Sequence, residues 1–190
     1  RVQRDTTTGQ ITAVNTGIVN LNTIETSGID MQFEWTVNLE DTFLPIPGRL
    51  RVNELLSLID NYEINGTDFI GTTSGAIGGA LFEWKSTLSV YYSLGDWTAF
   101  ARWSYVPEIC DPTFGIGPEV CTGGTRGQMD PEASYIDASV RWAVTDNFQV
   151  TGFIGNLFDD LPPQTLGGTV LQANTDVQLY RPLGRTFSLS

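Results

Sequence analysis

The chain has 190 residues, with 22 acidic against 10 basic side chains, a net charge of -12 and a pI near 4.1. That balance excludes nucleic acid as a partner, since phosphates demand clustered Lys and Arg, and it disfavours docking on anionic lipid. His is absent, which removes the commonest metal ligand and general base, and no run of about 18 apolar residues exists to form a transmembrane helix. A mean hydropathy of -0.07 does not exclude membrane-crossing strands, because alternating side chains average out in a hydropathy window.

Residues 1–5 read as a strand end, followed by the turn-rich Thr6–Gln10 and a mixed segment from Ile11 to Leu21. A first long strand is predicted from about Ile18 to Leu39. Its centre is the most regular stretch of the chain: Ile29, Met31, Phe33, Trp35 and Val37 alternate with Asp30, Gln32, Glu34, Thr36 and Asn38. A period of two puts these sets on opposite faces of a strand, whereas a helix would scatter both around its circumference. The run from Ile29 to Leu39 measures roughly 35 Å when extended, well beyond an average strand. Taken alone, it fits a transmembrane barrel strand and a soluble sandwich strand equally. Gly28 marks a bulge or a close approach of backbones.

After Glu40–Gly48, with Pro45 and Pro47, a second strand runs from about Arg49 to Tyr62. Leu50, Val52, Leu56, Leu58 and Tyr62 share its apolar face, which Glu54 interrupts; Leu55 and Ile59 interrupt the polar one. Glu63–Ala80 reads as a loop. A third strand, Leu81–Leu94, sets Phe82, Trp84, Leu88, Val90 and Tyr92 against Glu83, Lys85, Thr87 and Ser89. The tight turn Gly95-Asp96 leads to a fourth strand, Trp97–Tyr105.

Pro107–Glu132 is predicted to be a long loop carrying both cysteines, Cys110 and Cys121. Without His they make a poor zinc site; the favoured reading is a loop disulfide in an oxidising compartment, with two free thiols as the alternative. A fifth strand, about 135–144, places Ile136, Ala138, Val140 and Trp142 opposite Asp137, Ser139 and Arg141. A sixth follows the turn Thr145-Asp146-Asn147, from Phe148 to Phe158. Asp159–Pro182 reads as another loop, and a last strand spans Leu183–Ser190.

Two regularities favour the barrel over the sandwich. Connections alternate between two or three residues and about twenty, as short inner turns and long outer loops do in outer-membrane barrels. Aromatic side chains on the apolar faces also cluster near strand ends, where interfacial girdles would place them. The fold expected is therefore an all-β, antiparallel transmembrane β-barrel with about seven strands present. Phe33, Trp35, Trp84, Leu88, Val140 and Trp142 are assigned to the lipid-facing side.

Three motifs carry a resemblance. Thr26-Ser27-Gly28-Ile29-Asp30-Met31, preceded by Asn20 and Asn22, resembles the N…(S/R)G(I/V)(D/E)(L/M) strand of TonB-dependent receptors. Asn156-Leu157-Phe158-Asp159, with Pro162-Pro163 beyond, is similar to that family's NLFD…P segment. Tyr180-Arg181-Pro182-Leu183-Gly184-Arg185-Thr186-Phe187 resembles its closing strand. The three keep the family's order and span residues 18–190. The resemblance implies residues 1–190 are the C-terminal part of a barrel of about 22 strands in the bacterial outer membrane. Such a receptor imports a scarce small-molecule ligand (a siderophore, cobalamin or an oligosaccharide) with energy delivered by TonB.

Its partners would be outer-membrane lipid, the remainder of the barrel, a plug domain and, through that plug, TonB. Neither the plug nor the TonB box is in this stretch, and the family's terminal aromatic is missing where it stops at Ser190. Ligand contacts would come from loops 63–80, 107–133 and 159–180, with Phe114, Arg126 and Tyr135 as candidates. No nucleophile elbow, P-loop or metal-ligand spacing occurs, so no enzyme activity, cofactor or metal is expected. A passive porin or another outer-membrane barrel (an enzyme or adhesin) and a soluble β-sandwich binding module are the competing readings.

Overall fold

The computed structural model describes residues 2–14, 23–43, 45–74, 77, 79–111, 121, 128–164, 175–177 and 179–190. Within them the chain is all-β. In order, the strands are β1 (Val2–Arg4), β2 (Ile11–Val14), β3 (Ile24–Asn38), β4 (Arg49–Ile64), β5 (Thr67–Asp68), β6 (Thr72–Ser74) and β7 (Gly79–Leu81). They continue with β8 (Trp84–Leu94), β9 (Trp97–Val106), β10 (Ile109–Asp111), β11 (Gln128–Asp130), β12 (Ala133–Thr145), β13 (Phe148–Gly155) and β14 (Thr186–Leu189). No helix among the described residues is long and apolar enough to cross a membrane.

One large antiparallel sheet dominates, in the order β14-β13-β12-β9-β8-β4-β3. Each neighbour in that order is also the next long strand in sequence, so the sheet is a simple meander. Its path does not close among the described residues: β3 and β14 are its two edges. Antiparallel order gathers the tight turns after β8 and β12 at one edge of the strands, here the lower edge. The lengthy links β4–β8, β9–β12 and β13–β14 all lie at the upper edge. Gly95 adopts the positive φ (53°) that the two-residue turn after β8 requires.

Register carries one apolar surface across all seven strands. Phe33 pairs with Glu54, which pairs with Leu88, which pairs with Trp103; Trp103 pairs with Ile136 on β12. One rung lower, Trp35, Val52, Val90, Ala101, Ala138 and Ile154 form a continuous row. The complementary surface carries Gln32, Leu55, Thr87, Ser104 and Tyr135 on one row. All six side chains assigned to the oily side therefore lie on one face. Phe33 (59 %), Trp35, Val140 and Trp142 are exposed, while Trp84 and Leu88 are partly covered by neighbouring strands.

Gly28 sits at a bulge in the β3–β4 pairing, where a Cβ would lie 2.5 Å from the Leu58 carbonyl oxygen. The bulge changes the parity of β4, so Tyr62 pairs with Thr26 on the polar surface rather than continuing the apolar one. A sequence with perfect alternation would have missed this, because one extra residue flips every side chain beyond it.

The segments expected to be featureless loops are partly ordered. Asn65 and Gly66, both at positive φ, turn β4 directly into β5. β6, β7, β10 and β11 form a separate four-stranded sheet in the order β11-β10-β6-β7, whose β10–β6 contact is parallel. The buried core sits here, at the upper edge: Phe82, Ile109, Leu179 and Tyr180, flanked by Ala80, Val106 and Ala133.

Candidate functional site at the upper edge

Three chain segments meet on the carboxylate of Asp137, which projects from the polar surface of β12. It is almost completely buried and accepts hydrogen bonds from Arg102 Nη2 (2.6 Å) on β9, Arg181 Nη1 (2.6 Å) and the Asn156 backbone N–H (3.0 Å). A buried charge is tolerable only when paired and fully hydrogen-bonded, and here two guanidiniums and an amide meet that need. The result is a clasp. It pins the start of the β13–β14 connection (Asn156) and its far end (Arg181) to the same strand.

The second and third motifs close the clasp further. Asn156, at φ 53°, turns the chain out of β13, and its side chain exchanges hydrogen bonds with the backbone of Asp160 (2.8 and 3.0 Å). Asp159 Oδ1 accepts the Arg185 backbone N–H at 2.6 Å, and a Cβ on Gly184 would fall 2.6 Å from that same oxygen. Asn156, Asp159 and Gly184 are thus required by contact between the two motifs, which ends β13 at Gly155, short of the predicted Phe158.

Of the three ligand candidates, Tyr135 is the one among the described residues. It lies near the upper end of β12, as its place in the fifth predicted strand implied, is 2 % exposed, and sits under the Arg181 guanidinium 4.8 Å from its ring centroid. Its hydroxyl accepts the Arg181 backbone N–H, so the ring supports the clasp. Phe114 and Arg126 lie outside the described residues. Cys110 and Cys121 form a disulfide with Cα atoms 5.8 Å apart, and Cys110 donates its N–H to the Gly71 carbonyl, tying the 107–132 segment to the 65–83 segment.

Next to the core, burial pushes the Asp130 carboxyl up to about 6, and the nearby Asp111 and Asp176 charges add to the effect. Burial likewise raises the Tyr180 hydroxyl, which donates to the Pro131 carbonyl. Among the described residues no group of three or more His, Cys, Asp or Glu side chains is arranged to hold a metal.

The lower half of the polar surface is different. A concavity of about 630 Å³ is lined by Glu34, Arg49, Arg51, Tyr91, Phe100 and Arg141 among others. Nothing in the sequence reading singled it out; register across β4, β8, β9 and β12 is what brings Arg49, Arg51 and Arg141 onto one face.

No protein-family model, curated protein or solved structure matches the chain.

Proposed function

We propose that the sheet is a wall segment of an outer-membrane transporter of the TonB-dependent type. Its apolar surface meets lipid, its polar surface lines a water-filled lumen, and its upper edge faces the cell exterior. The observation that carries this reading is inverted burial. Large side chains on the apolar surface are exposed, including Ile29, Met31, Phe33, Trp97 and Phe148, while the polar surface holds the buried Asp137. A soluble sheet would cover the first set to gain about 25 cal/mol per Å² of buried apolar area. An exposed apolar surface of this extent needs lipid or protein against it.

Stacked ring pairs mark both ends of that surface, and Trp35 and Phe187 share a row between them. Trp97 and Trp142 stack at the lower edge with centroids 5.1 Å apart; Trp84 and Tyr105 stack at the upper edge at 4.9 Å, beside Trp103. From Trp97 to Tyr105 along β9 is roughly 27 Å, or about 20 Å across a bilayer at the usual strand tilt of ~40°. That matches most of the ~25 Å apolar band of outer-membrane barrels. The edges β3 and β14, which have no further partner strand among the described residues, fit the same reading, since lipid tolerates strands only when further strands complete the hydrogen bonding.

Membrane residence is tested by brominated-lipid quenching of tryptophan fluorescence in phosphatidylcholine vesicles. Strong quenching is expected, and none would remove the reading. Energised uptake is tested in cells making the full-length protein, with ferric siderophores, cobalamin and oligosaccharides as probes. Uptake that stops with a protonophore supports the receptor; uptake that continues assigns a passive porin instead.

A further inference from the structure

We propose that the concavity on the lower polar surface binds small carboxylates that also carry an apolar ring. Five arginines on or beside this surface divide into two kinds. Arg102 and Arg181 are committed to Asp137. Arg49, Arg51 and Arg141 are exposed and make no ion pair among the described residues. In a chain with 22 acidic and 10 basic residues, three cations without acidic partners on one concave surface concentrate a scarce charge.

Neutral neighbours hold each guanidinium and leave most of its donors unused. Arg141 Nη2 donates to Thr98 Oγ1 at 3.2 Å, Arg49 Nε donates to Asn38 Oδ1 at 3.3 Å, and Arg51 lies 4.5 Å over the Tyr91 ring. Register places Arg49, Ser93, Thr98 and Arg141 on one row across four strands. The row above brings Arg51, Tyr91 and Phe100 together, with the two rings 4.8 Å apart. A planar guanidinium fork matches a carboxylate in two hydrogen bonds, and pre-oriented side chains lose little freedom in doing so. The adjacent rings supply an apolar seat for the rest of the molecule. A volume of about 630 Å³ lies within the range of small-molecule sites. Glu34 on the same lining opposes a second negative charge and so favours a monoanion.

The site needs the polar surface open to water and to that extent rests on the barrel reading. Phenylacetate and its neutral isostere phenylacetamide are the probes, titrated by calorimetry into the full-length protein in detergent, with vesicle insertion measured in parallel. Phenylacetate should bind saturably and at least about tenfold tighter than the amide. Arg51→Gln with Arg141→Gln should abolish that preference, Arg51→Lys with Arg141→Lys should retain part of it, and Glu34→Gln should tighten binding a few-fold. Equal binding of acid and amide, or wild-type affinity in the double Gln variant, overturns the site. Insertion without phenylacetate binding removes the site and leaves the barrel reading intact; binding without insertion keeps the site and removes the barrel.

Discussion

The two surfaces of the large sheet solve opposite problems with the same strands. The apolar surface carries stacked rings and a few hydrogen bonds at its margins, and Glu54 within it accepts a hydrogen bond from Ser86 Oγ at 2.6 Å. The polar surface carries the ion pairs, the buried carboxylate and, through the upper-edge connections, the chain's core. Because side chains alternate strictly along a strand, neither surface can be altered by sliding a register without exchanging the two. The difference teaches that strand alternation, carried across the sheet by register, decides which residues share a surface.

The sharpest way to break this contrast is to put charge on the apolar surface. Val140→Arg or Leu88→Arg is expected to cost ~2–4 kcal/mol in reversible folding into lipid vesicles, whereas Thr87→Ser and Thr151→Ser on the polar surface should cost little. Equal tolerance on both surfaces would abolish the distinction. Next in size is the clasp. Asp137→Ala leaves two half-exposed guanidiniums without their shared partner and should cost about 2–3 kcal/mol. It should also raise hydrogen exchange at Asn156 and Arg181 while leaving the turn after β8 protected.

Reducing the Cys110–Cys121 disulfide should lower stability by about 2–3 kcal/mol, read as a drop in denaturation midpoint on adding a reductant. A smaller effect comes from pH. Asp130 binds its proton more tightly in the folded protein than in the unfolded chain, so its contribution is fully present below pH ~4 and declines as pH rises through about 6. Asp130→Asn should flatten that decline in denaturation curves taken between those values. Smallest is Glu54→Gln, which removes a charge from the apolar surface and should stabilise the inserted protein by under ~1 kcal/mol.

Much of the sheet was legible because its strands are long and their alternation clean: β8, β9 and β12 begin and end within three residues of their predicted limits, and β3 ends one residue before its own, its predicted start at Ile18 lying outside the described residues. The bulge at Gly28 was legible in kind, since an isolated glycine inside a strand marks close backbone approach, but its consequence for Tyr62 was not. The upper edge was read poorly. Asn65-Gly66 is a strong hairpin signal that was absorbed into a presumed loop. β6, β7, β10 and β11 are three residues each, too short for periodicity to register, and they pair across long sequence separations. The burial of Tyr135 was not legible, because it depends on Arg181, which is distant in sequence. The arginine-lined hollow escaped notice because each arginine looked like an ordinary member of an alternating strand.

The outer margin of β3 presents 15 residues of extended backbone with no neighbour among the described residues, and β14 presents another such margin on the opposite side. Unsatisfied amides and carbonyls in a row are a template for any complementary ribbon. Made without flanking strands to occupy them, these margins would recruit further copies of the same polypeptide and zip into insoluble ribbons. Recovery of soluble, monodisperse material should therefore depend on supplying those neighbours during synthesis.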